Sequence, residues 1–291
     1  MALVSELTRR AALRFGVGAA AGAAGLFALD ALLDPVKPAA SPAPAPHTPP
    51  DPASAGNVLP TRESGSFLSA ARGGLPTNWI IARPPGQTAP LRPVIALHCK
   101  DGDAAWVMDL GVEDALAQLV RAGKPPFAVV AVDGGNTFWR RHGSGQDSGT
   151  MVTDELIPML AAKGMDTARV GFMGWSMGGY GAMLLGARLG PARTAGICAI
   201  SPALYMTYWG APPGAFDSVD DWRVNSPYGL IPQLASIPLR IDCGTSDPFY
   251  VATNQFVNRM NPRPVTAFDP GGHDDAYWRA HLKEELNWLD S

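Results

Sequence analysis

Beyond residue 60 the sequence alternates between short apolar runs and longer segments with helical spacing. The runs have strand length and lie at residues 79–82, 94–98, 127–132, 170–173, 195–201, 239–243 and 265–268. The helical segments between and after them are residues 112–122, 150–163, 177–189, 249–261 and 276–289. Strands that are apolar on both faces and linked by helices are buried only in a mostly parallel sheet with helices on both faces. We therefore predict an α/β fold of that kind.

One strand-to-helix junction carries a serine between two glycines. The run Gly174-Trp175-Ser176-Met177-Gly178 directly follows an apolar run and directly precedes a helical segment. A serine on such a sharp turn has a strained backbone, and larger side chains two residues to either side would collide with the neighbouring strand and helix. The pattern predicts that Ser176 is a nucleophile. A serine that merely caps the helix would leave the paired glycines unexplained.

A serine hydroxyl needs a base, and a group that orients the base, to act as a nucleophile near neutral pH. Asp247 and His273 each lie on a loop that follows an apolar run late in the chain. The carboxyl ends of parallel strands meet at one edge of a sheet, so we expect Ser176, Asp247 and His273 to converge there. Asp242 is the alternative acid, but it lies within its strand.

Backbone N–H groups are expected to stabilise the negative charge that develops on the substrate carbonyl oxygen. One donor is predicted to be Met177, directly after the nucleophile. The second is predicted in the loop that begins at His98, where alignment with the histidine of the HG-type loops of lipases selects the amide of Lys100. Cys99 then stands where glycine is common. A solvated surface lysine is the alternative interpretation of Lys100.

The candidates for substrate contacts are aromatic or basic. Trp139 and Arg140 follow a strand at the same sheet edge, where they either face the acyl or alcohol part of a substrate or pack inward. Tyr205 and Trp209 belong to the aromatic, Pro/Gly-rich segment 201–232. Such an insertion between strands is typical of a cap or lid over a site, with ordinary packing against the sheet as the alternative. Aromatic walls suit acyl chains and sugars alike.

Charge and cysteine content exclude several classes of function. The chain has 23 Lys and Arg against 26 Asp and Glu, a net charge of -3, so no basic field exists to hold nucleic acid. Three cysteines without a CxxC pair predict neither a disulfide-stapled scaffold nor a structural zinc site. We expect no metal and no cofactor. Cys198 and Cys243 lie on consecutive strands and either pair in an oxidising compartment or remain reduced.

The first 60 residues differ in composition from the rest. Arg9-Arg10 and Arg14 precede an apolar stretch at 15–29, and Pro and Ala dominate 35–60. This stretch is shorter than the roughly 20 residues that a bilayer-spanning helix needs, and basic residues before a short apolar run are typical of an export signal. We predict a twin-arginine-like export signal at 1–34 and a Pro/Ala-rich linker at 35–60. An uncleaved anchor helix is the alternative for the first segment.

From about residue 76 to 289 the chain resembles serine esterases of the esterase D type, which are related to feruloyl esterases and secreted mycolyltransferases. Three motifs carry the resemblance, namely Gly174-Trp175-Ser176-Met177-Gly178-Gly179-Tyr180-Gly181, Asp242-Cys243-Gly244-Thr245-Ser246-Asp247-Pro248-Phe249 and Pro270-Gly271-Gly272-His273. The resemblance implies an α/β-hydrolase fold and carboxylic-ester hydrolysis or acyl transfer without a metal. The order Ser176, Asp247, His273 is that of the α/β-hydrolases.

These observations predict a catalytic domain at 61–291 that hydrolyses a small-molecule or cell-envelope ester through an acyl-enzyme. We expect it outside the cytoplasm (periplasm, cell wall or secreted), with no stable membrane span and no nucleic-acid partner. One alternative is a mycolyltransferase-like enzyme that moves an acyl group to a cell-envelope sugar. The other is a catalytically silent ligand-binding protein on the same scaffold.

Overall fold

The structure is a computed structural model that describes residues 58–290. Its strands are β1 Arg62–Ser69, β2 Leu75–Ala82, β3 Pro93–Leu97, β4 Ala128–Val132, β5 Val170–Trp175, β6 Thr194–Ile200, β7 Leu239–Asp242 and β8 Val265–Ala267. Its helices are α1 Ala104–Asp109, α2 Val112–Arg121, α3 Ser148–Thr150, α4 Ile157–Ala162, α5 Met177–Leu189, α6 Val219–Asn225, α7 Ile231–Leu234, α8 Tyr250–Arg259 and α9 Asp275–Leu289. The predicted export signal at 1–34 and almost all of the predicted linker at 35–60 lie outside the described residues.

The eight strands form one sheet in the order β1-β2-β4-β3-β5-β6-β7-β8. The pairs β1–β2 and β2–β4 are antiparallel, and all other neighbouring pairs are parallel. Strands β3, β4 and β5 are buried along their whole length, as expected for central strands covered on both faces. The predicted α/β fold with a mostly parallel sheet is confirmed.

Helices cover both faces of this sheet and create two separate cores. One core joins alternate strand residues to α4, α5 and α8, with Tyr180 and Phe256 fully buried in it. The second core joins the opposite strand faces to α1, α2 and α9, with Leu116 and Leu286 at its centre. Successive buried residues of the central strands contribute alternately to one core and the other, because successive side chains point to opposite faces.

Sequence reasoning missed strand β1 and the short helices α1, α6 and α7. Strand β1 alternates between exposed and partly buried residues at the edge of the sheet, so its sequence Arg62–Ser69 is largely polar. The helix predicted at 150–163 is interrupted, because residues Met151–Leu156 form a π-helical segment between α3 and α4. Among residues 58–290, no helix combines the length and the apolarity that crossing a bilayer requires.

Candidate active site

Ser176 lies on a strained turn between β5 and α5. Its φ of 56° falls in the left-handed region, which residues other than glycine rarely adopt. A Cβ on Gly178 would lie 1.9 Å from the carbonyl oxygen of Leu97, and one on Gly174 would lie 2.4 Å from the backbone of Gly178. Both glycines are therefore required by the close approach of β3 and α5. The turn lifts the Ser176 side chain above the carboxyl edge of the sheet.

Ser176, His273 and Asp247 form one continuous hydrogen-bonded chain. The Oγ of Ser176 lies 2.9 Å from Nε2 of His273, and Nδ1 of His273 lies 2.8 Å from Oδ2 of Asp247. A carboxylate can only accept, so Nδ1 carries the proton and Nε2 is free to accept the serine hydroxyl proton. The three residues are up to 97 positions apart in sequence, and the structure brings them together as expected.

The Asp247 carboxylate is buried and accepts from several donors. Burial alone would raise its pKa, but the hydrogen bonds from His273, from the backbone N–H of Phe249 at 2.7 Å and from the Ser201 side chain outweigh this and lower it. The rival acid, Asp242, points elsewhere. It accepts from Nε of Arg240 at 2.7 Å and from the N–H of Ala267 at 2.8 Å. The geometry thus places Asp247 rather than Asp242 beside the histidine.

Backbone contacts hold the acid loop and the histidine loop together. The N–H groups of Thr245 and Ser246 donate to the carbonyls of Asp269 and Gly271, at 2.8 and 2.9 Å. A Cβ on Gly244 would lie 2.3 Å from the Gly271 oxygen, so glycine is required at this crossing. The spacing between Asp247 and His273 is therefore set by the backbone as well as by the side chains.

Two backbone N–H groups of the cleft that holds Ser176 have no acceptor among the residues that the structure describes. Within residues 58–290 neither the N–H of Met177, at the start of α5, nor that of Lys100 donates a hydrogen bond. The first N–H groups of a helix have no acceptor within the helix, and the helix dipole adds positive potential there. Lys100 and Met177 line the same cleft as Ser176. The role of both N–H groups as oxyanion donors stays a prediction.

The cleft over Ser176 has a volume of about 330 Å³ and is mostly apolar. Its lining comprises Cys99, Lys100, Phe138, Ser176, Met177, Ala203, Tyr205, Pro212, Phe249, His273 and Trp278. Phe249 and Trp278 contact the His273 ring at centroid distances of 5.2 and 5.1 Å. These rings shield the hydrogen bonds of the histidine from water, which strengthens them.

The structure corrects the expectation that Trp139 and Arg140 face the substrate. The Trp139 side chain is fully buried between two glycines, since a Cβ on Gly134 or Gly181 would lie within 2.5 Å of its ring. Arg140 is also fully buried and pairs with Asp221 at 2.8 Å. Trp139 packs inward because the glycines leave a slot for its ring, and Arg140 is held by the carboxylate of Asp221, which belongs to the 201–232 segment.

Tyr205 and Trp209 have different surroundings. Tyr205 lines the cleft and contacts the rings of Phe138 and Phe249. Trp209 is 84% exposed and lies with Tyr208 beside a neighbouring recess of about 350 Å³, which shares Pro212 with the cleft. Residues of the 201–232 segment thus form one wall of the cleft.

Sequence reasoning missed Phe138, Phe249 and Trp278 as cleft residues. The position of Phe249 in the cleft could have been predicted from the sequence, because Phe249 directly follows the Asp247-Pro248 pair. Phe138 has a φ of 50°, which turns its ring toward Tyr180, Tyr205 and Phe216. No local sequence pattern predicts the positive φ of Phe138.

A larger cavity of about 600 Å³ lies apart from the triad. It is lined by residues that include Arg141, His142, Asp154, Arg188 and Asp217. None of its lining residues belongs to the cleft over Ser176.

Cys99, Cys198 and Cys243 are all free thiols. In the part of the chain that the structure describes, no cluster of three or more His, Cys, Asp or Glu side chains could hold a metal ion.

The mostly parallel sheet, with a serine after β5, an acid after β7 and a histidine after β8, defines an α/β-hydrolase fold. The model of the family Esterase, described as "Putative esterase", matches residues 74–289. The chain belongs to this family and is a carboxylic-ester hydrolase whose chemistry is ester hydrolysis or acyl transfer. The resemblance stated from the motifs is confirmed. Curated protein sequences yield no significant match.

Several solved structures share the fold at low sequence identity. FphF, a fluorophosphonate-binding serine hydrolase of Staphylococcus aureus, is 20% identical with a TM-score of 0.65, over 79% of this chain and 98% of that one. MPT51 of Mycobacterium tuberculosis is 19% identical with a TM-score of 0.62, over 79% and 98%. The feruloyl esterase module of Clostridium thermocellum, complexed with sinapinate, is 16% identical with a TM-score of 0.58, over 82% and 92%.

Proposed function

We propose that this protein is an exported serine carboxylesterase that works through an acyl-enzyme intermediate. The observation that carries the proposal is the hydrogen-bonded chain from Ser176 Oγ through His273 to the buried Asp247 carboxylate. The intact chain also argues against a catalytically silent scaffold, because each polar group in it is oriented for proton transfer.

In the first half of the reaction, Ser176 Oγ attacks the ester carbonyl carbon while Nε2 of His273 takes its proton. The N–H groups of Met177 and Lys100 stabilise the oxyanion. Collapse of the tetrahedral intermediate breaks the bond to the alcohol oxygen, which receives the proton from His273. Asp247 holds the Nδ1–H tautomer and stabilises the imidazolium.

In the second half, water attacks the acyl-enzyme carbonyl and gives a proton to His273. The bond to Ser176 Oγ then breaks, the serine regains its proton, and the free acid leaves. An alcohol in place of water would give a new ester, which is the acyl-transfer alternative.

The cleft favours an apolar group on one side of the ester. Phe138, Tyr205, Pro212 and Phe249 supply its walls, and about 330 Å³ accommodates an aryl or short acyl group rather than a long chain. Trp209 lies outside this cleft, so we expect it to contact only the distal part of a larger substrate.

A fluorophosphonate probe tests the nucleophile directly. It should label Ser176 in the wild type and fail to label Ser176→Ala, whose kcat we expect to fall by about 10⁶. Labelling at another residue, or none in folded wild type, would refute the proposal.

A panel of short-chain, long-chain and aryl p-nitrophenyl esters then tests the substrate class, with aryl and short acyl esters expected to give the highest kcat/KM. Product analysis with an added sugar alcohol separates the two chemistries. We expect free acid as the main product, and predominant formation of new ester would favour the acyltransferase.

Export is proposed from Arg9-Arg10 and the apolar stretch that follows. Fusion of residues 1–60 to a reporter that is active only outside the cytoplasm should give signal. The double variant R9K/R10K should abolish that signal if the route is twin-arginine, while an unchanged signal would exclude this route.

A further inference from the structure

His98 is a fully buried histidine at the end of β3 that takes no part in the proton transfers described above. Its Nε2 lies 2.9 Å from the backbone nitrogen of Gly134, and its Nδ1 lies 2.7 Å from the carbonyl oxygen of Cys99. A backbone N–H can only donate and a carbonyl can only accept. Nε2 therefore carries the lone pair and Nδ1 carries the hydrogen. Burial lowers the pKa of His98, which favours this neutral form.

The carbonyl that His98 holds belongs to the same peptide group as the Lys100 N–H. A trans peptide is planar, and its C=O and N–H bonds point in opposite directions. The Cys99 oxygen also accepts from the N–H of Gly102 at 3.1 Å. Two donors on one side of this peptide thus hold its N–H toward the other side. A hydrogen bond to the carbonyl also polarises the N–H and makes it a stronger donor.

The residue after Lys100 is held independently. Asp101 has a left-handed φ of 63°, and its N–H donates to Oδ1 of Asn136 at 2.8 Å. Nδ2 of Asn136 in turn donates to Oδ1 of Asp101 at 2.6 Å. Gly134 and Asn136 both belong to the loop after β4, so this loop supports the oxyanion loop at two points.

We propose that neutral His98 is a positioning residue that turns the Cys99–Lys100 peptide so that the Lys100 N–H faces the substrate oxyanion, with Asn136 supporting the same loop through Asp101. The inference rests on the proposed function, because it assigns a cause to the geometry of one oxyanion donor.

Two substitutions separate the two contacts of His98. In His98→Asn the side-chain amide nitrogen lies near the position of Nδ1 and still donates to Cys99. In His98→Gln the amide oxygen reaches the position of Nε2 and still accepts from Gly134, while the donor to Cys99 is lost. Removal of one oxyanion donor costs about 10²- to 10³-fold in kcat. We expect His98→Gln to lose about 10- to 100-fold in kcat with KM within about threefold, and His98→Asn to lose less than about fivefold.

Thionoesters give a readout that a purely structural defect would not move. Sulfur is a poor hydrogen-bond acceptor, so an ester (C=O) gains much more from the oxyanion donors than the matching thionoester (C=S) does. The ratio of kcat for the two substrates should fall in His98→Gln in parallel with kcat for the ester. His142→Gln is the matched control, because His142, like His98, contacts a backbone carbonyl, in this case that of Thr137, but lies outside the cleft.

Asn136→Ala is a second test that does not depend on a buried substitution, since Asn136 is exposed. We expect a loss of about three- to tenfold in kcat and a matching fall in the ester-to-thionoester ratio. The proposal is overturned if folded His98→Gln keeps the wild-type ratio, or if His98→Asn and His98→Gln lose kcat equally. Should neither His98 variant fold, a wild-type ratio in Asn136→Ala would overturn it. A failure of the proposed function can be told apart from a failure of this inference, because the fluorophosphonate probe would then not label Ser176 in the wild-type protein.

Discussion

Two buried carboxylates, one at the end of strand β7 and one on the loop after it, have opposite surroundings. Asp247, on the loop after the strand, accepts from His273 and from the Phe249 N–H and lies beneath an open cleft. Asp242, at the end of the strand, accepts from Arg240 and from the Ala267 N–H. The two residues have the same chemistry and are five positions apart. The difference indicates that a buried acid suits the proposed catalytic role where its partner is a histidine at the cleft, and stabilises the fold where its partner is a buried cation.

A third carboxylate extends the contrast. Glu285 of α9 is fully buried, and within the described residues neither of its oxygens has a hydrogen-bond partner. Burial raises its pKa well above the usual value, and the nearby Asp242 raises it further. Asp247 has the opposite shift because its donors outweigh its burial. Burial alone therefore does not identify a functional acid.

The largest expected effect is on turnover. Asp247→Asn preserves the shape but holds His273 in the wrong tautomer, so we expect kcat to fall by about 10⁴. Asp242→Asn should lower kcat by less than about tenfold, because Asp242 does not contact the histidine. Initial rates with a p-nitrophenyl ester measure both. A larger loss of kcat in folded Asp242→Asn than in folded Asp247→Asn would contradict the roles assigned to the two carboxylates.

The next effect is on stability. Asp242→Asn leaves the buried Arg240 guanidinium without its buried carboxylate partner, and we expect the free energy of unfolding to fall by about 3 kcal/mol. Asp247→Asn should be the more stable of the two variants. Urea unfolding of both proteins measures the difference, and equal stability would contradict the structural role assigned to Asp242.

A stabilising substitution is predicted at Glu285. Glu285→Met removes a buried carboxyl without partners and should raise the free energy of unfolding by about 1–3 kcal/mol. The pKa of Glu285 is raised in the folded state, so the folded protein holds this proton more tightly than the unfolded chain does. The free energy of unfolding of the wild type therefore falls as pH rises above the ordinary value of 4.5. The gain in melting temperature should therefore be larger at pH 8 than at pH 5. A gain that does not depend on pH would mean that ionisation of Glu285 is not its cause.

The smallest effect is predicted at Glu284, the exposed carboxylate that also contacts Arg240. Glu284 accepts from Arg240 at 2.9 Å, but its side chain is 66% exposed. Solvent screens such a pair, so Glu284→Gln should change the free energy of unfolding by less than about 1 kcal/mol. A change as large as that of Asp242→Asn would show that the two carboxylates share the role of balancing Arg240.

Much of the site could be predicted from sequence because its parts obey local rules. The glycines around Ser176 report a sharp strand-to-helix turn, and Asp247 and His273 each follow an apolar run. Trp139 could not be assigned in this way. Its slot is formed by Gly134 and Gly181, and only folding shows that the two glycines face one ring.

The amino-acid sequence by itself determined the mostly parallel sheet, the strained serine and the order of acid and base along the chain. These features follow from backbone geometry and apolar patterning over a few residues. The tertiary structure alone decided that Trp139 packs inward, that Arg140 pairs with Asp221, and that Phe138 lines the cleft. Such choices depend on contacts between residues far apart in sequence, where strand register and burial select the partner.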